Sequence, residues 1–131
     1  MRGGFLDSNV LIYAFTTDQR ALRAQELLES GCAIGVQGVN EFTNVAKRKL
    51  GMKCERHLRR FAHSAAPVLP LEINTHTDAL RIAERYGYGI FDALMLASAL
   101  SANCRVLWSQ DIQDGAVIGG PLRIANPVHA I

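Results

Sequence analysis

Four acidic residues, Asp7, Glu41, Asp92 and Asp111, lie in four separate segments of the chain. Asp7 follows Phe5-Leu6 and precedes the run Val10-Leu11-Ile12-Tyr13-Ala14-Phe15. Glu41 lies in Asn40-Glu41-Phe42, and Asp92 opens the stretch Ala93-Leu94-Met95-Leu96-Ala97. Asp111 comes soon after Val106-Leu107-Trp108, with Asp114 one helical turn further on. Carboxylates gathered at one place repel one another and resist ionising together. A hard divalent cation relieves that cost, and oxygen ligands without His or Cys suit Mg²⁺ or Mn²⁺ better than zinc. A cation so held activates water and neutralises charge at a scissile phosphate. Each residue also has a plainer use: Asp92 and Glu41 favour helix N-terminal turns through capping and the helix dipole, and Asp111 and Asp114 suit a polar turn.

Whether these residues meet depends on the elements that carry them. Phe5-Leu6 reads as the end of a short buried strand, with Ser8 or Asn9 capping a helix that follows. Asp18 to Ser30 has helical spacing of Ala21, Leu22, Ala24, Leu27 and Leu28. Cys32 to Val36 is a short strand, and Gly38 opens the next helix, so Glu41 lies near its start. Pro67 to Leu71 reads as an edge strand because of its prolines. Thr75 or Thr77 caps a helix ending near Tyr86, and Gly87-Tyr88-Gly89 is a turn. Ile90 to Ala102 is apolar on nearly every side and is therefore a buried helix. Arg105 to Trp108 is a buried strand, Ser109 to Gly120 a polar loop, and Leu122 to Ile124 a last strand. Alternating strands and helices imply a parallel sheet covered on both faces, one domain over residues 1–131. Ligands of such sheets bind beyond the carboxyl ends of the strands, the edge to which these segments deliver their carboxylates.

Composition narrows the alternatives. At 131 residues and 49% hydrophobic, the chain suits a single packed core. A net charge of +2 neither demands nor excludes a nucleic-acid partner. Cys32, Cys54 and Cys104 are odd in number and widely spaced, which fits a reducing cytosol and structural burial rather than a disulfide framework. His57, His63, His76 and His129 lack zinc-ligand spacing. The N-terminus has no apolar region of signal-peptide length, and no stretch reaches membrane-spanning length, so the expectation is a soluble cytoplasmic protein with no membrane association.

Taken together, the motifs resemble a known family. Phe5-Leu6-Asp7-Ser8-Asn9-Val10-Leu11 resembles the opening of PIN domains, Asn40-Glu41-Phe42 their second motif, and Phe91-Asp92-Ala93-Leu94 their third. Leu107 to Gly115 resembles the fourth and Asn126-Pro127 the usual finish. The order and spacing extend from Leu6 to Pro127, and the compact length looks like VapC, the toxin of bacterial VapBC toxin–antitoxin pairs. The resemblance implies a three-layer α/β/α sandwich with a parallel sheet of about five strands. It further implies an Mg²⁺- or Mn²⁺-dependent endoribonuclease that leaves a 5′-phosphate and a 3′-hydroxyl, a VapB-type antitoxin as partner, and a homodimer. Carried over by position, Asp7, Glu41, Asp92 and Asp111 match the catalytic, metal-binding acidic residues, and Asp114 a further metal-binding acidic position. One position departs: many relatives have Ser or Thr three residues before the third acidic residue, and here it is Gly89.

RNA contacts are expected from Asn9, Ser109, Lys47 and Arg48, the last two opening a basic stretch that runs to Arg60. That stretch equally fits a solvated face. Tyr13 and Phe15 have rings that stack on bases, although Phe15 also suits the core. Gln110 and Ser109 are placed to orient water or phosphate, or simply to satisfy the backbone. Two rival functions remain. A phosphatase with an aspartyl nucleophile would need a lysine near the later acidic motif, yet none follows Lys53. A non-catalytic PIN-fold module binding RNA or protein would have no need of every carboxylate.

Overall fold

Alternate residues of the first strand face opposite ways, and that alternation organises the molecule. In the computed structural model, which describes residues 3–15, 19–49, 67–110, 112 and 115–127, β1 (Gly4–Leu6) is buried throughout. Phe5 belongs to one core cluster and Leu6 to the other. Ala33 and Ile34 of β2 (Ala33–Gly35) divide in the same way. On the Leu6 side lie α1 (Ser8–Ala14), α2 (Ala21–Glu29) and α3 (Val36–Lys49), which contribute Val10, Leu11, Ala24, Leu27, Phe42 and Ala46. On the Phe5 side lie α4 (Ile73–Tyr86) and α5 (Ile90–Ser101), with Ala79, Ala93, Leu96 and Ala99 inside the core. This is the expected three-layer α/β/α arrangement, with helices covering both faces of the sheet.

The strand order is β3-β2-β1-β4-β6-β5, with β3 at Val68–Leu69, β4 at Val106–Trp108, β5 at Val117–Ile118 and β6 at Leu122–Ala125. The first five strands in that order pair in parallel, as expected. The sixth, β5, is antiparallel to β6 and falls in the stretch expected to be only a polar loop. Two glycines make this hairpin possible: Gly119 and Gly120 have φ of 61° and 93°, a region costly for residues with a Cβ. The proline-flanked β3 is at the edge, as expected. Among the described residues, no helix is long and apolar enough to cross a membrane.

Several element starts differ from the expectation. The cap of α1 is Asp7 itself, whose Oδ1 accepts from Ser8 N at 2.6 Å. Strand β2 passes directly into α3 at Val36 rather than through a turn at Gly38, so Glu41 sits in the second turn. Helix α4 begins at Ile73, with Thr75 buried inside it and Thr77 Oγ1 donating to the Ile73 carbonyl at 3.1 Å. Neither threonine caps it; helix-forming tertiary packing carried the start outward past both. Helix α2 is described from Ala21, and the expected start at Asp18 lies outside the described residues, as do Cys54, His57, His63, His129 and the basic stretch beyond Lys49. Cys32 and Cys104 are free and buried, and burial pushes the Cys104 thiol up, in keeping with a structural role.

Candidate active site

The centre of the sheet places two side chains side by side. Leu6 of β1 pairs with Trp108 of β4, and the ladder continues one residue past each strand: Asp7 N donates to the Trp108 carbonyl at 3.0 Å, and Ser109 N to that of Ala125 at 2.9 Å. Asp7 and Ser109 are thereby neighbours at the carboxyl edge, and Ser109 Oγ donates to Asp7 Oδ2 at 2.7 Å. Asp7 is 5% exposed and Ser109 fully buried. In this arrangement the Ser109 hydroxyl holds a carboxylate and also accepts from Ile112 N at 3.3 Å.

Glu41 reaches Asp7 through Ser8. The Ser8 hydroxyl donates to Glu41 Oε2 at 2.7 Å and stands 3.3 Å from Asp7 Oδ1. Gln37, one turn earlier on α3, donates to Glu41 Oε1 at 3.2 Å. Asp92 lies in the first turn of α5, whose N-terminal cap is Gly89. Burial raises the Asp7 carboxyl to about 6; the hydrogen bonds from Ser109 and Ser8 oppose the rise, while the negative charges of Glu41 and Asp92 add to it. Three of the expected carboxylates are therefore near enough to sense one another. Their donors are all oxygens, and among the described residues no positive charge offsets the ionised form of Asp7, a donor set that fits Mg²⁺ or Mn²⁺. Among the described residues no three His, Cys, Asp or Glu side chains form a metal cage by themselves. Asp111 and Asp114, expected to add ligands, lie outside the described residues.

The other expected contacts divide. Asn9 is in α1 beside the site; its Oδ1 accepts from Gln110 N at 3.4 Å, and its Nδ2 is buried with no partner among the described residues. Lys47 and Arg48 are exposed, but they lie six and seven residues beyond Glu41 on α3, roughly 9 and 10 Å along the axis, so the structure does not gather them with the carboxylates. Phe15 packs on Phe42 with ring centroids 4.9 Å apart, in the core. Tyr13 lies under the Arg20 guanidinium, 3.8 Å from the ring centroid. Sequence reasoning missed Ser8 as the link between two carboxylates, Gln37 and Arg20. The spacing of Gln37 and Glu41 along one helix face was a usable signal; nothing local pointed to Arg20.

Comparison with known proteins agrees with this geometry. No curated protein matches the chain at a significant level. Among solved structures, the chain is similar to a toxin–antitoxin complex from Klebsiella pneumoniae, with 22% identity, a TM-score of 0.71, and coverage of 95% of this chain and 98% of that one. It is also similar to VapC20 of Mycobacterium tuberculosis, described as a toxin that cleaves the sarcin–ricin loop, with 15% identity, a TM-score of 0.70, and coverage of 83% and 90%. The DNA-bound VapBC complex of Salmonella typhimurium shares 21% identity and a TM-score of 0.69, covering 97% and 99%. The model of the PIN domain matches residues 4–113, which span β1, Asp7, Glu41, Asp92, Asp111 and the end of β4, and the chain belongs to the PIN domain family.

Proposed function

We propose that this protein is a metal-dependent endoribonuclease and the toxin of a type II toxin–antitoxin pair. The observation that carries the reading is Asp7: a carboxyl group buried at the end of the central strand, held by two hydrogen bonds, and raised to about 6 by burial and by its acidic neighbours. A fold has little reason to keep such a group unless something cationic joins it. Membership in the PIN domain family and likeness in fold to VapC toxins support this reading of the reaction class and of the antitoxin partner.

In this mechanism Asp7, Asp92, Asp111 and Glu41 would hold the ion. When bound, Mg²⁺ or Mn²⁺ supplies Lewis acidity at the phosphate and acidifies water. The chain's own part is to keep these oxygens aimed. Ser109 and the Ser8 amide fix the two oxygens of Asp7, while Ser8 and Gln37 fix those of Glu41. Water attacks phosphorus, the 3′ oxygen leaves, and no covalent bond to the protein forms. RNA is the substrate class, a VapB-type protein the inhibitor, and a homodimer the expected assembly.

The test is cleavage of a panel of structured RNAs by purified protein with Mg²⁺, with Mn²⁺ and with EDTA, beside Asp7→Ala. The reading predicts cutting with either metal, none in EDTA and none by the folded variant. Normal cutting by Asp7→Ala would sink the assignment. An absence of both cutting and metal binding in the wild type would favour a binding module instead.

A further inference from the structure

Three side chains from three separate segments close a ring beside the carboxylates. Tyr13 on α1 donates its hydroxyl hydrogen to Gln110 Oε1. Arg20, just ahead of α2, donates from Nη1 to Tyr13 Oη at 2.8 Å and to Gln110 Oε1 at 3.0 Å. Its guanidinium also lies over the Tyr13 ring. Gln110 is tied a second time, because its main-chain amide donates to Asn9 Oδ1. Both the backbone and the side chain of Gln110 are thus fastened to α1, the helix that starts at Asp7.

Gln110 matters because of its place in the chain. Ser109 before it donates to Asp7, and Ile112 after it is 4% exposed with its amide on Ser109 Oγ. Between Gln110 and Ile112 the sequence carries Asp111. We infer that Arg20 and Tyr13 are positioning residues that clamp Gln110 to α1 and so hold Ser109, the residue before it, against Asp7 of the metal site. This rests on the metal-dependent reading above. Arginine, tyrosine and glutamine side chains at half-exposed positions ordinarily keep rotamer freedom. Here all three hold one another beside Ser109, where a small displacement would disturb the hydrogen bond to Asp7. Groups that orient ligands from one step behind them set metal affinity.

The experiment measures Mn²⁺ affinity by calorimetry, thermal unfolding, and kcat and KM on a cleavable RNA for the wild type, Tyr13→Phe, Arg20→Gln and Arg20→Lys. Positioning predicts that Tyr13→Phe and Arg20→Gln stay folded and bind Mn²⁺ roughly tenfold more weakly. Their kcat falls at limiting Mn²⁺ and recovers in excess, KM for RNA holds, and Arg20→Lys, which keeps a donor, regains part of the affinity. Unchanged Mn²⁺ affinity in both folded variants overturns the inference. A raised KM for RNA at unchanged Mn²⁺ affinity also overturns it, by making Arg20 an RNA contact. A wild type that binds no Mn²⁺ is a separate failure: it refutes the metal reading itself, and this inference with it.

Discussion

Asp7 is held where burial makes its charge unwelcome, and this makes its titration visible in stability. Its folded-state value of about 6 lies above the ordinary 3.8, so between those values the folded protein binds the extra proton. The stabilising contribution is full below pH 3.8 and is lost as pH rises through about 6. The difference corresponds to about 3 kcal/mol at pH 7 in the metal-free protein. Wild type and Asp7→Asn, unfolded in denaturant from pH 4 to 8 with EDTA, should therefore diverge, the wild type losing ground to the variant as pH rises. Saturating Mg²⁺ should close the gap, because the ion favours the ionised form. Ser109→Ala removes a hydrogen bond that favours ionisation, so the pH midpoint of Mn²⁺ binding should move up, with a cost of about 1–2 kcal/mol from the orphaned Ile112 amide. At this scale the sequence was informative where apolar neighbours isolate a charge, as at Asp7 and Asp92. It was silent on the links from Ser8 to Glu41 and from Arg20 to Gln110, which join residues distant in sequence.

Elements bring these residues together by close approach. A Cβ at Gly4 would lie 2.6 Å from Trp108 Nε1, 2.7 Å from Trp108 Cδ1 and 3.2 Å from Cys32 Sγ. Gly4→Ala should therefore destabilise the protein by about 1–3 kcal/mol, read as a lower midpoint in denaturant, by wedging the indole off β1. Gly89 behaves oppositely. Its φ of −66° is ordinary, nothing lies within 4 Å of an added Cβ, and it is the N-terminal cap of α5 without a side-chain bond. A serine at this position would thus cap the helix, and Gly89→Ser should raise stability by a few tenths of a kcal/mol at unchanged metal affinity. Unfolding curves with a parallel Mn²⁺ titration check both outcomes. Strand and helix order was readable from periodicity. The starts of α3 and α4 were not, because Val36 and Ile73 enter their helices directly and the local signals at Gly38, Thr75 and Thr77 are overridden by packing against neighbouring elements.

For the whole molecule, the sheet order gathers carboxylates from β1, α3 and α5 at one edge while leaving Lys47 and Arg48 exposed further along α3. Under the proposed function, RNA affinity and catalysis are accordingly separable. Lys47→Ala with Arg48→Ala should weaken RNA binding, lower the slope of log affinity against log salt by about two, and leave kcat at saturating RNA unchanged. The parallel sheet was legible from alternating strands and helices, whereas the β5–β6 hairpin was hidden because two strand residues beside a double glycine carry no period. The most direct test of the account is the chemistry of the cut ends, from cleavage with Mg²⁺ in ¹⁸O-labelled water. Attack by water at phosphorus with departure of the 3′ oxygen predicts ¹⁸O in a 5′-phosphate, a 3′-hydroxyl on the other fragment, and no product in EDTA. A 2′,3′-cyclic phosphate, or cutting that survives EDTA, would contradict it.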